Sequence, residues 1–416
     1  MVAVPDNHPY APGKLRVKRM RPRDPSEIFR SSSPLELFFD LIFAVSVSLA
    51  SAQLVAAETH VDIAGGLRAY LMVFFAVWWA WMNFTWFASA FDADDWLYRV
   101  LALTQMAGVV ILAVGTTPAM ADGNFHLIIA GYVVMRLALV AQWIRASRSH
   151  PGLRKTALRY AVGIAVVQVF WVCYPLTPAG WAIPVFLLLV ALELLVPLIA
   201  ERSGQTPWHP EHIADRYGCF TLIVLGESVL ASTVAAANAV ENANQLLQFS
   251  LLGVGGFILA AGLWWVYFSS NASTWLRTRR APMIFGYGHY FVFAAAGAFS
   301  AGVKVLLDHE AGSSGLSSAA AVATLSIPVS VFLLGVWALI LRLCLRGAYK
   351  WLFPVGALLI GGAPLLAQLT PTAESDVQIA VISVLGAAAV MVLLVVLIEA
   401  SGVREQEESA AAPAAG

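Results

Sequence analysis

The sequence predicts an all-α, polytopic transmembrane bundle of about twelve spans, built as two parallel six-helix repeats. Three observations carry that expectation. Of the 416 residues, 59% are hydrophobic and only 12% are charged, whereas soluble domains are nearer a quarter charged. Apolar runs of about 20 residues recur along the whole chain, each long enough to cross a hydrocarbon core of roughly 30 Å. The basic residues between those runs fall on alternate loops. A transmembrane β-barrel would instead show short alternating strands.

The expected spans are 35–57, 67–90, 97–119, 125–145, 156–174, 181–200, 215–237, 246–270, 283–307, 321–345, 350–369 and 376–399. Residues 1–33 are polar and basic and precede a run of spanning length, so they read as a disordered tail rather than a cleavable signal. Residues 403–416 read the same way, leaving 34–402 as one membrane domain. With the N-terminal tail inside, the inner loops hold Arg145, Arg148, Arg154, Lys155, Arg277, Arg279, Arg280, Arg342, Arg346 and Lys350, and the outer ones only Arg68 and Lys304. This asymmetry predicts a multi-pass membrane protein with both termini in the cytoplasm.

The halves, about 34–203 and 212–402, resemble each other. FFDLIFAVSVSLAS (38–51) aligns with CFTLIVLGESVLAS (219–232), and WMNFTWFAS (81–89) with WVYFSSNAS (265–273). YAVGIAVVQVFWVCYPLTP (160–178) aligns more loosely with FPVGALLIGGAPLLAQLTP (353–371). Six spans per half would give both halves the same orientation.

Charge inside a bilayer is expensive, so polar residues in spans face the bundle interior or a wet cavity. The candidates are Glu36, Asp40, Asn83, Gln105, Arg136, Gln168, Glu193, Arg216, Glu227, His289 and Lys304. Glu36 and Asp40 are four residues apart and share a helix face. With Arg216, Glu227, His289 and the acids of the loop FDADDW (Asp92, Asp94, Asp95), they suggest a polar vestibule open to the cytoplasm and narrowing toward Glu227. Each has a plainer alternative. Glu36 is also placed to complement the helix dipole at a terminus capped by Ser33. Glu227 is equally suited to a static bridge. His289 is either a satisfied core histidine or a proton carrier. Arg136 and Glu193 are expected to pair structurally. His209, His212 and Asp215 read as a solvated connector rather than a metal site. Trp78, Trp79, Trp81 and Trp86 read as packing residues. The three cysteines have neither zinc nor disulfide spacing. Phosphate-binding, zinc-protease and serine-hydrolase motifs are absent. No cofactor, metal or nucleic acid is implied, and membrane lipids plus an unidentified small solute or ion are the expected partners.

Taken together, SPLELFFDLIFAVSVSLA, FDADDWLYR, HIADRYGCFTLIVLGESVLAS and WWVYF followed by YGHY resemble the motifs of the bacterial low temperature requirement A family, over about residues 33–400. The resemblance marks Glu36, Asp40, Asp94, Asp95, Arg99, His212, Arg216, Gly226, Glu227, Ser228 and His289 as family positions. Asp215 stands where that family usually has Glu. The family is named for a link to growth in the cold, and no reaction, substrate or cofactor comes with the name. The expectation for function is a proton- or cation-coupled secondary transporter with Asp40 and Glu227 binding the ion, His289 relaying and Arg216 as charge partner. The alternatives are a structural or sensory membrane protein, an intramembrane enzyme acting on a lipid, or a channel.

Overall fold

The structure, a computed structural model, describes residues 17–24, 31–241, 246–276, 281–368 and 376–403. Among them every regular element is helical. Ser33 starts α1 (Pro34–Thr59) with a capping box, its hydroxyl accepting from Glu36 N while Glu36 accepts from Ser33 N. Asp62 caps α2 (Ile63–Phe91) by accepting from Gly65 N, and Asp95 caps α3 (Trp96–Asp122) by accepting from Tyr98 N. Then follow α4 (His126–Ser149), α5 (Arg154–Cys173), α6 (Ala182–Ala200), α7 (Pro210–Glu241), α8 (Leu246–Tyr267) and α9 (Ala281–Glu310). The last group is α10 (Ser318–Val336), α11 (Arg342–Cys344), α12 (Tyr349–Gly361), α13 (Ala363–Gln368) and α14 (Asp376–Ala400).

Eleven helical segments of the described residues are long and apolar enough to cross a membrane. The expected span 350–369 falls on α12 and α13 and is interrupted at Gly362. Two glycines in succession weaken the helix there, and Pro364 removes a backbone donor just beyond. The other notable shift is at α7, which begins at Pro210 rather than near 215. Proline is pre-organised for a first helical turn, so the segment expected to be a connector belongs to the helix.

The face where α1 begins is called the near face. Residues 36 and 40 of α1 meet residues 212 and 216 of α7, so the two helices run parallel and in step from that face. Tyr217 packs on His289, Ser51 donates to Gly297 O, and Gly315 N just past α9 reaches Thr59 O at the end of α1, so α9 runs parallel to both. α9 is the most enclosed span, with 83% of its apolar window buried, so it forms the centre of the bundle. α1 packs on α2 and α3, α3 on α4, α4 on α5, and α5 on α6. α7 packs on α8 and α9, α9 on α10, α10 on α12, and α12 on α14. The first group meets the second mainly where α1 lies against α7 and α9.

Of the N-terminal tail, residues 17–24 lie along the loop after α2. Lys18 N donates to Asp95 Oδ2 at 2.7 Å, Arg23 N to Ala90 O at 3.0 Å, and Met20 is fully buried. Residues 1–16, 25–30 and 404–416 fall outside the described residues, and with them most of both expected tails.

Glycine sets the closest helix crossings. A Cβ on Gly108 of α3 would lie 2.7 Å from Gly131 O, and one on Gly131 of α4 2.6 Å from Leu112 N. On α9, a Cβ at Gly302 would lie 2.6 Å from Thr324 C of α10. Small residues let membrane helices approach backbone to backbone, where dispersion drives association. Gly131→Leu is therefore expected to force α3 from α4 and to cost about 1–3 kcal/mol, as overpacking does. Thermal unfolding of the detergent-purified variant checks this, and an unchanged unfolding temperature would contradict the crossing.

Candidate functional site

The two acids of α1 and the two bases of α7 form one buried cluster. Arg216 grips Asp40 with a fork: Nη2 donates to Oδ1 at 2.6 Å and Nε to Oδ2 at 3.1 Å. Its third nitrogen, Nη1, lies 3.2 Å from Glu36 Oε1. His212 Nε2 reaches the same Glu36 oxygen at 3.0 Å. Trp81 of α2 donates to Asp40 Oδ1 at 2.6 Å. Glu36 Oε2 accepts from Ser33 N at 2.8 Å, so the capping acid and the cluster acid are the same residue. The spacing of four residues on both helices puts each pair on one face. Parallel packing then brings the faces together in register.

Arg216, Asp40 and His212 are fully buried and Glu36 nearly so. A charge at the bilayer centre costs about 2.5–3.5 kcal/mol even on insertion scales. Fork geometry offsets much of that cost, because two charge-assisted bonds act together. The charge count is incomplete, however. Among the described residues, two carboxylates face one permanent guanidinium, so this group of four is neutral only when it carries one further proton, on His212 or on a carboxyl.

This arrangement corrects the vestibule expectation. Glu36 and Asp40 face α7 and the protein interior, not water, because α7 supplies counter-charges in step with them. His212 is a buried helical residue, not part of a solvated connector. Asp215 accepts from Ser32 N and Oγ at 2.8 and 2.6 Å. A near-face cavity of about 440 Å³ does exist, but on the other side of α2. Asn83 and Trp86 line it with Trp143, Tyr160, Glu201 and Trp208. Glu201 there is held by Tyr160, at 2.9 Å, and by the Thr206 backbone and hydroxyl.

Glu227 and His289 do not join the cluster. Glu227 sits midway along α7, half-buried, and makes no hydrogen bond or ion pair among the described residues. Ser228 is buried and donates to Leu225 O at 2.6 Å, within its own helix. His289 is enclosed by Tyr217, Phe285 and Phe293. Its Nδ1 lies 2.7 Å from Phe285 O, and Nε2 lies 3.0 Å from the Tyr267 hydroxyl. A carbonyl only accepts, so Nδ1 carries a proton and the neutral ring has both nitrogens satisfied. That is the core-histidine alternative, with no carboxylate among its partners in the described residues.

Two further ion-pair groups hold the first helices. Arg136 donates to Glu193 at 3.1 Å in full burial, and Trp79, Tyr132 and Trp171 complete the carboxylate's partners. This is the pairing expected from their mid-span positions. At the near face Arg145 pairs with Asp95, and Arg99 forks onto Asp94 at 2.8 and 3.1 Å. The Arg99 hydrogen bond holds the exposed Asp94 carboxyl below its ordinary range. Burial pushes Asp95 up, but hydrogen bonds from Arg145, Tyr98 N and Lys18 N outweigh it and leave the carboxyl lowered. Trp81, Tyr160 and Glu201 escape sequence reasoning. One signal was present for Trp81, since an indole that deep in an apolar span needs an acceptor.

A family model described as bacterial low temperature requirement A protein matches residues 31–398. An uncharacterised protein of Rhizobium meliloti (strain 1021) is 25% identical over 287 residues, covering 63% of this chain and 67% of that protein.

Arg216→Met would leave two buried carboxylates without their permanent counter-charge and should cost about 3–5 kcal/mol. Neutralising the acids as well, with Glu36→Gln and Asp40→Asn, should recover much of that loss in a mutant cycle. Additive losses would show that the groups act independently. Asp95 gives a pH test. Its folded value lies below its unfolded one, so its contribution is present above about pH 4 and is lost as pH falls. The unfolding temperature should drop on acidification, and Asp95→Asn should be less stable at neutral pH with a flatter acid limb.

Proposed function

The chain belongs to the bacterial low temperature requirement A family, and from that footing we propose that it is a proton- or cation-coupled secondary transporter of the bacterial cytoplasmic membrane, with both termini in the cytoplasm. The observation that carries the proposal is the buried cluster of Glu36, Asp40, His212 and Arg216, which is one proton short of neutrality. Such a cluster has two states of different charge, and only one is at ease in a low-dielectric core. Protonation would then decide whether α1 and α7 stay locked. Glu227, half-buried at mid-membrane and unpaired among the described residues, is the carboxylate open to a travelling proton or cation. The near-face cavity, walled by Asn83, three tryptophans and Tyr160, offers a small solute its first stop.

Two related halves fit this mechanism, because rocking of one half on the other around a midplane site gives alternating access. The matching order of helix neighbours supports the halves: α1 with α2 and α3 parallels α7 with α8 and α9, and the α3–α4 contact parallels α9–α10. The basic residues near that face support its cytoplasmic assignment.

One observation favours a second reading, a structural protein that supports growth in the cold. Every nitrogen of Arg216 already faces a carboxylate oxygen, which is what a permanent lock requires. Liposomes carrying the purified protein and an interior pH dye separate the two. Solute-dependent proton flux across a panel of inorganic ions and metabolites is expected for the wild type. It should be lost in His212→Gln and in Glu227→Gln, with folded yield retained. Wild-type silence with both variants folded would overturn the transporter reading in favour of the lock.

A further inference from the structure

A second cavity lies in the half of the bundle away from the near face. It has a volume of about 300 Å³, at the lower end for a ligand site. Its walls come from the end of α1, the start of α2, and the facing sides of α9 and α10. Alanines make the floor, at 294, 295 and 298 on α9 and at 320 and 323 on α10. Around the rim, Leu67, Phe291, Ile327 and Val331 are exposed. Such a rim on a membrane-spanning bundle is apolar and faces sideways, so the crevice opens toward lipid.

One residue does not belong in an apolar crevice. Glu58, in the last turn of α1, is 5% exposed and lines the cavity. Its Oε2 is buried without a hydrogen-bond partner. The wall has no donor to spare, since the Tyr70 hydroxyl donates to Ala294 O at 2.9 Å and the Thr324 hydroxyl to Ala321 O at 2.8 Å. Glu58 and Tyr70 are the only titratable residues among those that line it, and no cation lines it. An orphaned buried carboxylate is costly, and a positively charged donor from outside would satisfy it.

We propose that this crevice binds a phospholipid with a primary ammonium headgroup, the ammonium on Glu58 and an acyl chain between α9 and α10. The depths agree with that orientation. Glu58 is one residue from the end of α1 and so near the membrane surface, where headgroups lie. From Ala320 to Val331 the α10 wall then descends about 16 Å toward the midplane, at the helical rise. Pro328 within α10 widens the path, because a proline ring displaces the helix backbone beside it. Charge selects the head and the alanine floor admits the chain. The site is independent of the proposed transport activity.

The test uses the full chain, purified in detergent and supplemented with phosphatidylethanolamine, phosphatidylglycerol or phosphatidylcholine, with bound lipid read by native mass spectrometry. Phosphatidylethanolamine should be retained over phosphatidylglycerol by about tenfold, the value of one well-made charged contact. Phosphatidylcholine, which keeps the charge but has no N–H, should fall between them. Glu58→Gln should abolish the preference with the protein still folded, and Ala323→Phe should reduce retention of all three by filling the floor. Equal retention of the three lipids by the wild type, or an undiminished preference in Glu58→Gln, would overturn the proposal.

Discussion

Burying Arg216 is the constraint around which the bundle is arranged. A guanidinium cannot shed its charge, so it must be met by acceptors wherever the fold encloses it. Glu36 and Asp40 meet it from α1, and the fork onto Asp40 tolerates little error in distance or angle. A shift of α1 by one residue along α7 would rotate both acids away and leave the charge bare. The register of α1 on α7, one of the two contacts that make the seam between the first six helices and the rest, is thus fixed by electrostatics. Lipid tails are as apolar as leucine, so apolar contact alone gives a membrane helix little preference for one neighbour over another.

Aromatic residues extend that constraint outward. Trp81 bonds Asp40 and stacks on Phe220 at 4.5 Å, while Tyr217 packs edge-on against Trp81 and against His289. Trp86 donates to the Tyr217 hydroxyl at 3.1 Å and also lines the near-face cavity. A continuous layer therefore links the cavity, the charged cluster and the histidine, although only the cluster holds ionic partners. A change in the charge of the cluster has a physical route to the cavity wall through these rings.

Composition and periodicity go far for this chain. Mean hydropathy, run length and loop charge settle an all-helical, many-spanning architecture, because a bilayer leaves the backbone few other options. The spacing of Glu36 with Asp40 was legible as a shared face, whereas that of His212 with Arg216 was hidden by reading 209–215 as a connector. The mid-span positions of Arg136 and Glu193 were enough to pair them. The break at Gly362 was also written in the chain, as two glycines followed by Pro364, but hydropathy averages over such a site.

What the residues by themselves determined is which helices form and which of their residues are too polar to face lipid. The tertiary structure alone decided which polar residues meet. Glu36 found His212 on a helix 176 residues further along, while Glu227, the more conspicuous mid-span acid, was left without an ionic partner among the described residues. The reason is rotational. A helix apolar on nearly every side carries little information about which way it turns, and its orientation is chosen by the neighbours it packs against. Those neighbours in turn are chosen by glycine crossings between consecutive helices, at Gly108, Gly131 and Gly302, and by one buried arginine that pairs with a helix 176 residues away.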